Sequence, residues 1–156
     1  MPLQASDRLA QRLALGVPTA LIAGALISQH GFGLYPCEMC MWQRWPHYAA
    51  IGLGLASYVL PTKRLLIGLA ALAVLASGLI GAFHAGVEYG WWEGITDCAT
   101  PVTAGMSAID AITAAPMVRC DTAPWDLFGI SLAGWNFLIS SAGAIGALVL
   151  LAKGRK

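Results

Sequence analysis

The chain has 156 residues, of which 58% are apolar and only 11% charged, whereas soluble domains carry about 25% charged and about 45–50% apolar residues. This balance excludes an ordinary soluble domain, and the length allows one integral membrane domain over residues 1–156. The formal net charge is +1 and no basic stripe is present, which argues against nucleic acid as a partner.

The first expected span covers residues 13–34; its first half carries no charge and follows Arg8 and Arg12. Two arginines, an apolar run and small residues near Ala23 and Ala25 also fit a cleaved signal peptide, but further spans follow rather than a soluble domain. A short loop, 35–40, leads to a second span at 41–60, with Gln43 and Arg44 near its start. Pro46 lies just inside that span and leaves the start of its helix open. The third span is 65–85, rich in Leu, Ala and Gly. In the long loop 86–131, Val102, Met106, Ile109 and Ile112 recur at helical spacing and predict a short amphipathic helix on the membrane surface. The fourth span is 132–152, ending at Lys153.

Segments of about 20 residues reach across a hydrocarbon core of about 30 Å. In lipid they must satisfy their own backbone polar groups, so they are helices. The expected fold is an all-α membrane protein, a four-transmembrane-helix bundle. Seven of the nine basic residues (Arg8, Arg12, Lys63, Arg64, Lys153, Arg155 and Lys156) fall in the termini and the second-to-third span turn. The positive-inside rule puts those segments in the cytoplasm and both loops, 35–40 and 86–131, outside. Trp91, Trp92, Trp125 and Trp135 sit near the expected interfaces, as an aromatic belt would.

All four cysteines, Cys37, Cys40, Cys98 and Cys120, fall on the expected outer side, where disulfides persist. Cys37 and Cys40 form a Cys-x-x-Cys motif, which serves redox, zinc or haem chemistry. Haem attachment needs a histidine next, and Met41 is there instead. A zinc site could use all four thiolates, but Cys98 and Cys120 are 22 positions apart, far from a zinc-knuckle spacing. Two static disulfides are the structural alternative, weak for Cys37 and Cys40 because their loop is so short. Cys40 stands at a helix start, which favours a thiolate. Arg44 follows at i+4 on the same face. A snorkelling arginine is the plainer reading of Arg44, yet a cation there would hold a thiolate able to hand electrons to a lipid-soluble acceptor. Arg119 and Asp121 flank Cys120 with opposing effects.

The run Pro36-Cys37-Glu38-Met39-Cys40-Met41-Trp42-Gln43-Arg44 resembles the signature of the DsbB family, the bacterial disulfide bond formation proteins B. So do His84-Ala85-Gly86-Val87-Glu88, Cys120-Asp121 with Trp125, Leu127-Phe128-Gly129-Ile130-Ser131, and Trp135-Asn136. The resemblance covers nearly the whole chain in matching order. It implies an inner-membrane thiol oxidase that reoxidises a periplasmic DsbA-like thioredoxin-fold protein and passes the electrons to membrane quinone, either ubiquinone or menaquinone. It implies that Cys98 takes the mixed disulfide with the partner, that Cys120 is its mate and relays to Cys37, and that Cys40 faces the quinone beside Arg44. No resident metal is expected. A non-catalytic metal-binding protein and a disulfide-stabilised scaffold remain the competing classes.

His84 and Glu88, at i and i+4, suggest a proton route for quinone or an interfacial pair, the second favoured for Glu88. His47, on the face of Arg44, is expected to serve helix packing or lipid headgroups. Gly52, Gly54, Gly68, Gly78, Gly81, Gly143 and Gly146 are expected at close helix contacts. Trp125 and Trp135 could border the quinone, with belt anchoring as the default.

Overall fold

The computed structural model describes residues 3–96 and 118–154. Within them run α1 (Ala5–Phe32), α2 (Glu38–Val59), α3 (Lys63–Glu88), a hairpin of β1 (Asp126–Leu127) and β2 (Ile130–Ser131), and α4 (Leu132–Lys153). The amphipathic helix expected around residues 102–112 lies outside the described residues.

Each helix begins and ends where local chemistry directs. At the start of α1, Gln4 and the Asp7 carboxylate form a capping box. Its far end is Gly33, at φ 69°, a left-handed stop that suits glycine. Cys37 caps α2, its sulfur accepting the Cys40 amide at 3.2 Å. α2 then runs straight through Pro46, so the helix starts at Glu38 and the question that proline raised is answered. Because Pro46 has no amide hydrogen, α2 loses one backbone hydrogen bond in that turn. Ser131 caps α4 through the Gly134 amide at 3.1 Å.

α1 packs against α2 and α4, and so does α3, which leaves α1 and α3 on the diagonal of a four-helix bundle. α1, α3 and α4 are long and apolar enough to cross a membrane. α2 matches α4 in length at 22 residues, but Gln43, Arg44 and His47 lower its hydropathy and keep it out of that set. Within the all-α fold, a short hairpin, β1–β2, precedes α4. It turns at Phe128 (φ 55°) and Gly129 (φ 74°). The Tyr89 hydroxyl ties it to α3, donating to the Gly129 carbonyl at 3.2 Å and accepting the Ser131 amide at 3.0 Å.

The core away from the cysteines is built of small residues. Ala10, Ala14, Ala50, Ala70, Ala71, Ala144 and Ala147 surround Ile67, Val74 and Leu151, as expected where helices associate by close backbone approach. A Cβ on Gly78, Gly81 or Gly143 would come within 2.9 Å of a neighbouring helix, and one on Gly54 within 3.2 Å. Gly68 and Gly146 make only ordinary contacts and Gly52 meets nothing, so three of the seven glycines do not serve close packing. Leu55, Val59, Leu65, Leu72, Leu79, Ile145 and Val149 face outward from the bundle, the arrangement of a protein whose solvent is lipid.

The bundle end formed by the α2–α3 turn is fastened by an ion pair. Arg64 bonds the buried Asp7 carboxylate and also donates to the carbonyls of Leu151, at 2.5 Å, and Gly154, at 3.2 Å. One guanidinium thus joins α3 to the start of α1 and the end of α4. Arg64→Ala strips the buried Asp7 of its partner and frees two carbonyls. Because Arg64 is one-third exposed, we expect a loss of about 1–3 kcal/mol, read as a lower thermal midpoint in detergent. An unchanged midpoint would show that the clamp carries no stability.

Candidate functional site

At the opposite end of the bundle, where α3 and the 118–120 segment meet the start of α2, the cysteines gather. Cys37, Met39, Val87 and Cys120 pack as one buried cluster, with Cys40, Phe83 and Val118 against it. Cys37 and Cys40 are free thiols, and Cys120 is disulfide-bonded. Cys98 lies outside the described residues. The Cys37 thiol donates to the Cys40 sulfur at 2.8 Å. That hydrogen bond, with burial, holds the Cys37 thiol above its ordinary pKa. In the pair Cys37 keeps its proton, and Cys40, on the first turn of α2, is the sulfur prepared to attack.

His84 links the cysteines to the bundle interior. Its Nε2 stands 3.2 Å from the Cys120 carbonyl and 3.6 Å from the Cys37 sulfur. Its Nδ1 stands 2.8 Å from Gln43 Nε2. A carbonyl can only accept, so Nε2 carries the hydrogen and Nδ1 receives the Gln43 amide. The Glu88 carboxylate lies 3.8 Å from His84 Nε2, with its side chain 2% exposed. Glu88 is thus buried beside His84 rather than displayed at the surface.

From Gln43 a polar layer crosses the bundle. Asn136 on α4 donates to Gln43 Oε1 at 2.8 Å and to the Ser77 carbonyl at 3.2 Å. Asn136 Oδ1 meets His47 Nε2 at 3.0 Å and accepts from Ser140 at 2.8 Å. Ser77 donates to the Gln43 carbonyl at 2.7 Å and lies 2.9 Å from His47 Nε2. Gly81 makes room for the layer: a Cβ there would stand 3.1 Å from Gln43 Oε1. His47, expected at a headgroup or packing position, is a buried member of this layer. The signal in the sequence was a set of polar residues inside expected spans, each costly without a task.

Beside the layer, between α1, α2 and α4, lies a cavity of about 360 Å³. Cys40, Arg44 and His47 line it along one face of α2, with Ala25 and Ser28 of α1 opposite, and Trp125 and Trp135 at its border. Arg44 is no free snorkeller. Its guanidinium donates to Gln29 Oε1 at 2.7 Å and to the Ala25 carbonyl at 3.5 Å, which fixes the charge to α1. Trp92, 45% exposed and so free to serve the belt, also packs on the protein. It stacks on Phe83, donates to the Phe83 carbonyl at 2.9 Å and closes over Gly86. Trp91 remains largely exposed. Arg119 and Asp121, whose effects on Cys120 were opposed, bond each other instead, and the guanidinium holds the Asp121 carboxyl below its usual value.

Ligand atoms of Cys37, His84 and Cys120 lie within 4.8 Å of one another. A disulfide sulfur is not a thiolate, so these three could hold a metal only after Cys120 is reduced.

The family model described as Disulfide bond formation protein DsbB matches residues 7–150. The chain belongs to the DsbB family. A disulfide bond formation protein B of Verminephrobacter eiseniae is 34% identical over 146 residues, covering 86% of this chain and 80% of that protein. Another, from Polaromonas naphthalenivorans, is 32% identical over 160 residues, covering 97% and 94%. One from Azoarcus is 31% identical over 142 residues, covering 85% and 84%. No solved structure matches the chain significantly. As a DsbB protein it is a multi-pass membrane protein of disulfide bond formation.

Proposed function

We propose that the chain is a quinone-dependent thiol oxidase of the bacterial inner membrane that reoxidises a periplasmic DsbA-like dithiol protein. In this reading all four helices span, both termini are cytoplasmic, and the cysteines face the periplasm. The observation that carries it is the convergence of Cys37, Cys40, His84 and Cys120 beside a cavity that Cys40 and Arg44 line.

The thiol steps balance as exchanges. A partner thiolate attacks Cys98 in the Cys98–Cys120 disulfide, and Cys120 leaves as a thiolate. The partner's second thiolate releases the oxidised partner and leaves Cys98 reduced. Cys120 then attacks Cys37 of an oxidised Cys37–Cys40 pair and Cys40 leaves. Cys98 attacks Cys120, restoring the outer disulfide and freeing Cys37. The inner pair now holds two electrons and two protons. The observed state, with Cys120 bonded and Cys37 and Cys40 free, matches this point of the cycle.

The cavity wall suits a quinone: Arg44 supplies a fixed donor on the same wall as Cys40. Quinone, when bound, takes up two electrons and two protons. On the protein side, Cys40 presents its sulfur to the cavity, Arg44 holds negative charge beside it, and His84 with Gln43 fixes the Cys37 end of the pair.

Mixing the detergent-solubilised protein with a reduced thioredoxin-fold oxidase and soluble quinone analogues tests the reading. Catalytic loss of the oxidised-quinone absorbance is expected; no turnover with either ubiquinone or menaquinone analogues overturns it. The proximity of Cys37, His84 and Cys120 favours the metal-binding class as the second reading. Stoichiometric zinc held by the reduced thiols of purified protein, without quinone turnover, would establish that class.

A further inference from the structure

Two charges of opposite sign reach the inner cysteine pair from different helices. Arg44 stands on the cavity wall beside Cys40, its guanidinium fixed by Gln29. Glu88 is the last residue of α3, with a side chain only 2% exposed. Its Oε1 lies 3.8 Å from His84 Nε2, and that same nitrogen lies 3.6 Å from the Cys37 sulfur. The carboxylate is therefore within a Debye length of that sulfur, about 8 Å at physiological ionic strength, and a buried pair is screened less than that length implies. Burial opposes charge on this carboxyl. The Ser131 hydroxyl, whose oxygen already accepts the Gly134 amide, gives its hydrogen to Glu88 and supports the charged form.

Among the described residues, little else at this end of the bundle offsets that carboxylate. Glu38, Glu93 and Asp126 are exposed, as is His30 near the end of α1. Arg119 and Asp121 bond each other. His84 is neutral, since its Nδ1 receives the Gln43 amide while Nε2 faces the Cys120 carbonyl. α4 brings no ionisable side chain to this end. The Glu88 charge is felt at the pair: it adds to the hydrogen bond with Cys40, the burial and the Cys40 charge that together hold the Cys37 thiol above its ordinary pKa. Negative charge is thus discouraged at the Cys37 end by Glu88 and held at the Cys40 end by Arg44.

We propose that the buried Glu88 carboxylate makes the Cys37–Cys40 dithiol a stronger reductant and so drives its electrons toward quinone. This rests on the quinone-oxidase reading above. The reduced pair holds a thiol on Cys37 and a thiolate on Cys40. Its oxidation forms the Cys37–Cys40 bond and releases two electrons and the Cys37 proton. Quinone takes the electrons, that proton and a second one from solvent. The pair loses its negative charge in this step, so a fixed negative charge beside it disfavours the reduced state and favours the disulfide. Glu88 therefore acts on the equilibrium through its charge, with Ser131 and His84 as the positioning residues that hold it there.

The test reads the equilibrium of the pair, not turnover. The quinone-free full chain in detergent is equilibrated anaerobically with dithiothreitol redox buffers. Alkylation and mass spectrometry of the peptide that carries both Cys37 and Cys40 then give the fraction oxidised. In Glu88→Gln we expect the pair to become easier to reduce by about tenfold in the equilibrium constant, which is ~30 mV toward a higher two-electron potential. Glu88→Asp, which keeps the charge, should stay close to the unsubstituted protein. As the buffer is acidified, Glu88 takes up a proton and the gap between the unsubstituted protein and Glu88→Gln should close. An unchanged equilibrium in Glu88→Gln overturns the proposal. So does an equal shift in Glu88→Asp, or a gap that survives acidification, because packing rather than charge would then be the cause. The measurement contains no quinone, so its outcome is separate from the reading it rests on: absent quinone turnover in the unsubstituted protein sinks that reading, whereas turnover with an unshifted equilibrium in Glu88→Gln sinks this proposal alone.

Discussion

Cys40→Ser should leave a folded bundle that no longer delivers electrons to quinone, with turnover down at least a thousandfold, or ~4 kcal/mol of barrier. The size follows from the nature of the step. Serine keeps the shape of the side chain but is not ionised at neutral pH, so no sulfur nucleophile remains at the cavity wall. The fold should tolerate the change. Cys40 caps nothing; it is Cys37 that caps α2 by accepting the Cys40 amide. The outer disulfide is untouched, so one equivalent of reduced partner should still be oxidised in a single turnover before the cycle stops. Stopped-flow quinone absorbance and a thiol count on the partner separate the two stages. Quinone reduction at the unsubstituted rate in Cys40→Ser would sink the electron path, whatever the partner.

That prediction could be framed from the sequence because the chemistry of a Cys-x-x-Cys pair is local. Two residues of separation bring the sulfurs together on a helix start, and Arg44 falls one turn further on. The long apolar helices α1, α3 and α4 were legible for a similar reason, since hydropathy registers apolar length directly. It does not register where a helix begins. α1 starts at Ala5, well before the apolar run, because Arg8 and Arg12 are helical residues capped by Gln4 and Asp7. The β1–β2 hairpin was hidden by its turn. Such turns favour Asn-Gly or Gly-Gly, and here Phe128 takes the first left-handed position.

The polar layer was out of reach for a deeper reason. Gln43, Ser77 and Asn136 come from three helices, and their meeting depends on the rotation of each helix about its axis. Each could be seen as a polar residue in a span; none announced its partners. His47, read as a helix-packing or headgroup residue, shows the same limit. Sequence spacing put it on the face of Arg44, and it does line the same cavity, but its other edge reaches Ser77 and Asn136. Trp92 shows the same limit: its place near an expected interface said nothing of the slot that Gly86 opens on α3, in which the indole lies.

Arg44→Met should cut kcat/KM for quinone about a hundredfold, or ~2.7 kcal/mol, within the range of a lost charge-assisted hydrogen bond. The guanidinium is positioned by Gln29 and the Ala25 carbonyl, so it meets the cavity as a fixed charge that pays little entropy on use. Two functions are combined in it, and they separate kinetically. If Arg44 only binds the ring, the loss falls on KM and kcat is kept. If it stabilises negative charge that appears during transfer, kcat falls as well. We expect both to move, because Cys40 and Arg44 share one wall of the cavity and charge develops between them. Arg44→Lys keeps the charge but not the planar fork toward Gln29, and should lie between the two. Gln29→Leu removes the brace and keeps the guanidinium, so its effect should be confined to KM and amount to about tenfold. A full hundredfold loss in Gln29→Leu would mean that the position of the charge, rather than its presence, governs transfer. No loss in Arg44→Met would remove the arginine from the site and leave the cavity to Cys40 and its other lining residues.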